Sequence, residues 1–182
     1  MSTRTVLHEA DIARALTRIS HEILESNKGP DGLILLGIPT RGVTLAHRIA
    51  GFIEQFGGAP VPSGALDVTM YRDDLHRNPT RTPQRTEIPA GGIDGKVVVL
   101  VDDVLFSGRS IRAALDALQD IGRPAAVRLA ALIDRGHREL PIRPDFVGKN
   151  LPSARDERVR VRLAETDGVE FVSIEGEVTI ES

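Results

Sequence analysis

The sequence predicts an α/β fold, a sheet with a parallel centre flanked by helices, and three observations carry that prediction. Gly32–Gly37 (GLILLG) and Val97–Val101 (VVVLV) are apolar runs without alternation, which suits strands buried on both faces of a parallel sheet. Each run is followed by apolar residues at helical spacing: Leu45, Ile49, Phe52 and Phe56 after the first, Ile111, Ala114, Leu115, Leu118 and Ile121 after the second. Such strand–helix alternation needs crossover connections and therefore parallel neighbours.

The elements follow in order along the chain. A first helix carries Ile12, Leu16, Ile19 and Ile23 on one face and ends at Asn27-Lys28-Gly29-Pro30. After Gly37, the turn Ile38-Pro39-Thr40-Arg41-Gly42 opens the second helix, and Leu66 to Met70 reads as a short strand. From Tyr71 to Gly95 the periodicity stops; this polar, proline-containing stretch is a long flexible loop, of the kind that serves as a lid. The strand at Val97–Val101 and its helix come next, closed by Gly122 and Pro124. Val127 to Ile133 is a further strand, and residues 134–152, rich in Pro, Gly and Arg, read as a small hood over the strand ends. Val159, Val161 and Leu163 alternate with Arg158, Arg160 and Arg162, a strand with one solvated face, and Val169 to Ile174 makes the last strand. No repeat and no linker divides residues 1–182, so they form one domain.

Composition narrows the function classes. Of 182 residues, 41% are hydrophobic and 27% charged, as in ordinary globular proteins. Without cysteine there is no disulfide framework, thiolate metal site or cysteine nucleophile. The N-terminal stretch has no signal-peptide core and no apolar run approaches membrane length, so the expected location is the cytoplasm and no membrane partner is expected. A net charge of −3 argues against indiscriminate nucleic-acid binding, and the lack of Trp with a single Tyr argues against a base-stacking platform. The five histidines show no metal-ligand spacing.

The chemistry concentrates in VVVLVDDVLFSGRS, residues 97–110. A strand runs into Asp102-Asp103, then a Ser107-Gly108-Arg109-Ser110 loop, then a helix. A helix N-terminus attracts anions through its unpaired N–H groups and partial positive charge. Gly108 permits close approach of the backbone, and Ser107 and Ser110 add hydroxyl donors. The carboxylates nearby repel phosphate, so a ligand satisfying both needs an anionic end and hydroxyls or a metal at the other. A ribose 5-phosphate has this form. The bland alternative is a strand end whose aspartates merely cap the next helix. Neither of the two better-known phosphate loops, GxxxxGK[ST] or GxGxxG after a strand, is present.

VVVLVDDVLFSGRS resembles the phosphoribosyl-diphosphate (PRPP) motif of the type I phosphoribosyltransferases. Together with ALTRISHEILESNKG, LLGIPTRG, MYRDDL and IDRGHRELPIRPDFVGKNLP it is similar, in order from about Thr5 to Glu175, to the PyrR family. These are regulators of pyrimidine operons that also act as uracil phosphoribosyltransferases. The resemblance implies a type I phosphoribosyltransferase-like fold and a reaction of uracil with PRPP giving UMP and diphosphate, with Mg²⁺ as cofactor. It assigns Asp102 and Asp103 to the ribose hydroxyls, directly or through Mg²⁺, and Val104, Leu105, Phe106, Ser107, Gly108, Arg109 and Ser110 to the 5′-phosphate. For two neighbouring aspartates to serve one ribose, the strand would have to end between them.

Thr40, Arg41 and Gly42 correspond to the diphosphate loop, where family members often carry a non-proline cis peptide, and Arg72 on the long loop would reach the diphosphate on closure. Purine-salvage relatives carry a third carboxylate three residues after the second acid; here that position is Phe106, which favours a pyrimidine. Ile133, Asp134, Val147 and Gly148 are the expected base-binding positions.

A second function follows from the same resemblance. Arg14, Thr17, Arg18 and His21 form a polar stripe on the first helix, and residues 135–162 hold eight basic against four acidic residues, a local +4. Charge alone is equally consistent with a solvated face. The resemblance implies binding of the pyrimidine operon mRNA leader, strengthened by UMP or UTP, with Arg14, Thr17, Arg18, His21, His137, Arg138, Arg143 and Lys149 as contacts. His137 and Arg138 also suit the nucleotide. A homo-oligomer is expected. A phosphoribosyltransferase for orotate or another pyrimidine, without RNA binding, is the alternative.

Overall fold

The structure is a computed structural model and describes residues 2–73 and 84–176. Part of the loop expected over 71–95, residues 74–83, lies outside them. Five parallel strands form the main sheet in the order β3-β2-β4-β5-β6: β2 Leu33–Gly37, β3 Ser63–Ala65, β4 Val97–Leu105, β5 Ala126–Asp134 and β6 Phe146–Asn150. A second, antiparallel sheet of order β1-β8-β7 forms the hood from β1 Ser2–His8, β7 Arg158–Arg162 and β8 Phe171–Gly176.

Alternation within the buried strands decides which helix covers which face. Leu33, Leu35, Val99, Val101, Ala130 and Leu132 pack on α1 (Glu9–Asn27), α2 (Arg41–Gly57) and the inner residues of the hood sheet. Ile34, Leu36, Val98, Leu100, Leu129 and Ala131 pack on α3 (Arg109–Gln119). Each buried Leu or Ile contributes about 1.5–3 kcal/mol of transfer free energy, so the two-sided burial that makes these runs apolar also holds the sheet.

α1 ends as the sequence implies, with Lys28 left-handed at φ 57°. β2 and the central β4–α3 unit also lie where the pattern predicts. Three expectations are corrected. The strand read over Leu66–Met70 is displaced to Ser63–Ala65, because the Asp67 carboxylate accepts from the backbone N–H of Thr69 (3.3 Å) and its hydroxyl (2.7 Å). That local bonding turns the chain into a 3₁₀ turn at Thr69–Tyr71. The hood expected over 134–152 is divided: Phe146–Asn150 is an edge strand of the main sheet, and the hood sheet comes from the two ends of the chain. Phe56, Leu115 and Ile121, counted in the helical apolar patterns, are exposed at 38–39%; Phe56 stacks on His21 at the surface, ring centroids 4.2 Å apart.

The sheet order also places the site. From β2 the chain moves outward to β3, then returns to β4 on the other side and continues to β5 and β6. The gap between the carboxyl ends of β2 and β4 is therefore a topological switch point, where open α/β sheets bind ligands. α2 and α3 start on either side of it, and β2 stops at Gly37 opposite Val101 while β4 runs on to Leu105.

Candidate active site

Two adjoining cavities lie at this switch point and share Asp102, Val104 and Ser110. The first, about 230 Å³, is lined by Arg72, Asp73, Asp102 and residues 104–111. The second, about 550 Å³, is lined by Ile38–Arg41, Asp67–Thr69, Gln84, Asp102, Asp103, Val104 and Ser110.

Asp102 and Asp103 face this region by a route the sequence did not suggest. The strand does not end between them. The ladder to β2 stops at Val101, and the ladder to β5 passes from Asp102–Ala131 directly to Val104–Ile133. The register is the same on both sides of Asp103, and both carboxylates line the second cavity. Each carboxylate accepts the next backbone N–H: Asp103 N–H to Asp102 Oδ1 at 2.9 Å, and Val104 N–H to Asp103 Oδ1 at 2.8 Å.

The phosphate loop follows immediately. Gly108 adopts φ 93°, and a Cβ there would lie 3.3 Å from the Cβ of Ile142. Ser107 accepts the Arg109 N–H at its hydroxyl (3.3 Å) and the N–H groups of Glu139 and Leu140 at its carbonyl (2.9 and 3.2 Å), which buttress the loop. α3 then starts at Arg109 and directs its unpaired N–H groups at the first cavity, whose other wall carries Arg72. The Arg109 guanidinium donates to Asp73 (2.6 Å) and Glu139 (3.2 Å), and its bond to Asp73 is the largest cause raising its pKa. Arg109 thus ties the loop stem to the turn at Ser107-Gly108, and the Tyr71 hydroxyl fastens the same stem to Asp120, just past the end of α3.

Across the switch point, the Pro39–Thr40 peptide bond is cis, and Thr40-Arg41-Gly42 leads into α2. Two glycines make this approach possible. A Cβ on Gly37 would meet the Gly42 carbonyl oxygen at 2.3 Å, and one on Gly42 would meet the Val101 oxygen at 2.5 Å. The turn is therefore pressed against the strand that carries the aspartates. Gln84, just beyond the undescribed stretch, donates to the Thr40 hydroxyl (2.9 Å), and Arg41 is gripped by Asp167.

The expected base-binding residues do not assemble. Ile133 is fully buried. Asp134 accepts from Arg138 (2.7 Å) and the Gly136 N–H (3.1 Å), and lines a third cavity with Arg135, Gly136, His137 and residues 150–153. Val147 and Gly148 lie instead against α1, where their carbonyls accept from Arg18 at 2.9 and 2.5 Å.

Two side chains just beyond β5 bracket Phe106. The Arg135 guanidinium stacks 4.3 Å from the ring centroid, and His137 meets the ring edge-on at 5.8 Å. Arg135 is buried, its pKa lowered by desolvation, and donates to the Ser153 hydroxyl (3.0 Å) and the Ala154 carbonyl (2.8 Å).

The expected RNA contacts separate into two groups. Arg14, Thr17, Arg18, His21 and Lys149 line one open groove of about 810 Å³ between α1 and β6. Arg14 is 72% exposed and Lys149 is exposed, whereas Arg18 is committed to β6. His137 and Arg138 lie instead by Phe106: His137 Nε2 donates to the Ser153 carbonyl (2.5 Å), and Arg138 donates to the Phe106 and Ile142 carbonyls (2.8 and 2.7 Å). Arg143 is exposed on the segment that follows.

Among the described residues no group of three or more His, Cys, Asp or Glu side chains is placed to hold a metal ion. The Asp102–Asp103 pair suits a hard cation that takes most of its ligands from substrate and water, as Mg²⁺ does. No described helix is long and apolar enough to cross a membrane.

Asp67, Gln84, Arg135 and Asp167 are the site residues that sequence reasoning missed. Each acts by a contact across at least two residues of turn or across distant chain, which no local spacing announces.

Comparison with known proteins agrees with this geometry. The phosphoribosyl transferase domain family matches residues 2–163. A bifunctional protein PyrR of Leifsonia xyli is 71% identical over 180 residues, covering 96% of this chain and 98% of its own. That of Streptomyces coelicolor is 66% identical over 169 residues, covering 93% and 88%. In fold, the chain superposes on the hypoxanthine phosphoribosyltransferase of Trypanosoma cruzi with a TM-score of 0.71 at 18% identity, over 94% of this chain and 95% of that one. A paired-acid strand end, two helix N-termini at a switch point and this likeness lead to one conclusion: the chain belongs to the phosphoribosyl transferase family and, within it, to the PyrR bifunctional proteins.

Proposed function

We propose that this protein makes UMP from uracil and PRPP and that it regulates pyrimidine gene expression by binding the leader of its own pyrimidine operon mRNA, more tightly with UMP or UTP bound. The observation that carries the enzymatic reading is the pair Asp102 and Asp103 set between two helix N-termini that open on adjoining cavities. Such a site matches a ligand with phosphate at one end, diphosphate at the other and hydroxyls between.

In the reaction the C1–O bond to diphosphate breaks, a ring nitrogen of uracil bonds to C1, and that nitrogen's proton leaves. Positive charge grows on the ribose as diphosphate departs. Asp102 and Asp103 hold the ribose hydroxyls and place negative charge near the cationic ring. Residues 104–110 hold the 5′-phosphate on the α3 N-terminus. Thr40, Arg41 and Gly42 receive the departing diphosphate, and Arg72 approaches it from the loop stem. Mg²⁺, when bound with PRPP, supplies charge neutralisation on the diphosphate. The base lies near Asp134 and the Phe106–Arg135–His137 cluster, where an apolar ring replaces the purine enzymes' third acid. Ile133 shapes that wall from the core, and Val147 and Gly148 act at one remove through β6.

The RNA surface is centred on Arg14, Thr17, His21 and Lys149, with Arg18 holding that face to β6 and Arg143 extending it. The protein acts in the cytoplasm as a homo-oligomer that repeats this surface. The test is a uracil-plus-PRPP assay beside a titration of the leader RNA at fixed salt, with and without UMP. UMP formation and tighter RNA binding with UMP are expected. UMP formation without specific RNA binding would leave a salvage enzyme, and turnover of orotate in place of uracil would favour the other pyrimidine reading.

A further inference from the structure

We infer that Asp167 is a positioning residue for phosphoribosyl transfer, holding the Arg41 guanidinium in place to receive diphosphate. The inference rests on the phosphoribosyltransferase reading of the site. Arg41 stands at the first turn of α2, and Asp167 ends the short α4 helix, Ala164–Asp167, between β7 and β8 of the hood. Across 126 residues of sequence the two meet in a fork: Arg41 Nε donates to Asp167 Oδ2 at 3.1 Å and Nη2 donates to Oδ1 at 2.7 Å. Arg41 lines the second cavity, and Nη1 is its guanidinium nitrogen without a protein partner among the described residues.

The carboxylate is itself fixed without Arg41. The Leu163 backbone N–H donates to Asp167 Oδ2 at 2.8 Å, so the acceptor is held by the main chain at the start of the same helix. Asp167 is 11% exposed and Arg41 26%, which leaves the pair little room to rearrange. Its carboxyl lies below the ordinary carboxylate range, chiefly because Arg41 donates to it.

A second contact points the same way. Arg48, seven residues and two turns along the same face of α2, donates to Glu165 (2.8 Å) and Glu170 (3.1 Å) of this hood segment. The hood thus grips α2 at two points, one beneath the site and one within it. A free arginine carries substantial rotamer entropy, and a planar fork held from behind loses less of it when an anion arrives.

The experiment compares Asp167→Asn and Asp167→Ala with the wild-type chain by steady-state kinetics in PRPP and in uracil, product inhibition by diphosphate, and thermal melting. Asn keeps the side chain's outline and an acceptor for the Leu163 N–H, so it carries the test if Ala does not fold. The expected result is a fall of roughly tenfold to a hundredfold in kcat/KM for PRPP and weaker inhibition by diphosphate, with the KM for uracil changing less than about twofold. In an Arg41→Ala background, Asp167→Asn should add less than about a further twofold, since the group it positions is gone. Wild-type kinetics in Asp167→Asn, or losses that multiply in the double variant, would overturn the inference. Failure of the wild-type chain to convert uracil and PRPP would instead overturn the reading beneath it, and it shows before any variant is compared.

Discussion

Replacing Gly37 by alanine gives the sharpest test of how the Thr40-Arg41-Gly42 turn is held. The added Cβ would stand 2.3 Å from the Gly42 carbonyl oxygen and 2.4 Å from the Val43 Cα, both backbone atoms. Ordinary contact begins near 3.4 Å, so the turn must retreat by roughly 1.1 Å, the difference of 3.4 and 2.3. It cannot retreat toward β4, because Gly42 already abuts the Val101 carbonyl. Overpacking of this kind costs about 1–3 kcal/mol of stability. A displacement of about 1 Å at a positioning group costs on the order of a hundredfold in rate. Gly37→Ala should therefore melt lower and lose about two orders of magnitude in kcat/KM for PRPP, with a smaller effect on the KM for uracil. Gly51→Ala is the control: it lies on the exposed face of the same helix, nothing stands within 4 Å of its added Cβ, and it should gain about 0.5–1 kcal/mol. The reasoning is refuted if Gly37→Ala keeps both wild-type stability and wild-type kcat/KM for PRPP.

Three further outcomes are expected. Asp103→Asn removes the charge proposed to face the ribose without changing the side chain's shape, so UMP formation should fall by orders of magnitude while the melting temperature holds; unchanged turnover would remove Asp103 from the site. Arg14→Ala with Lys149→Ala should lower RNA affinity across sequences and reduce the salt slope of binding by about two, leaving UMP formation intact; an unaltered salt slope would move RNA off this groove. Arg48→Met strips Glu165, whose pKa is lowered mainly by the bond from Arg48, and Glu170 of their partner. A depressed carboxylate stabilises the fold above its unfolded pKa, near 4.3, and that stability is lost as pH falls through the lower folded value. The gap in unfolding free energy between Arg48→Met and wild type should thus be largest at neutral pH and narrow below about pH 4. A gap independent of pH in urea titrations would mean that packing, not charge, holds the hood to α2.

The chemistry of this protein was written locally, and that is why so much of it could be read. Asp102, Asp103, Ser107, Gly108 and Ser110 lie on one strand–turn–helix, and Thr40, Arg41 and Gly42 on another, so their spacing alone brings each group to a helix N-terminus. The two buried strands declared themselves because burial on both faces demands unbroken apolar runs.

What depended on distant chain was silent. β1 is exposed along most of its length and exists because β8 pairs with it, a partner about 170 residues away that no local pattern announces. Arg18 looked like a free RNA contact until β6 supplied the Val147 and Gly148 carbonyls to occupy it. Phe106 signalled the missing purine acid, but only the fold set Arg135 over its ring. Arg41 showed a charge at the start of a helix, and only the hood supplied Asp167 to hold it. An arginine's sequence states its charge and reach; which of its many rotamers it adopts is decided by whichever acceptor the tertiary structure brings within about 3 Å.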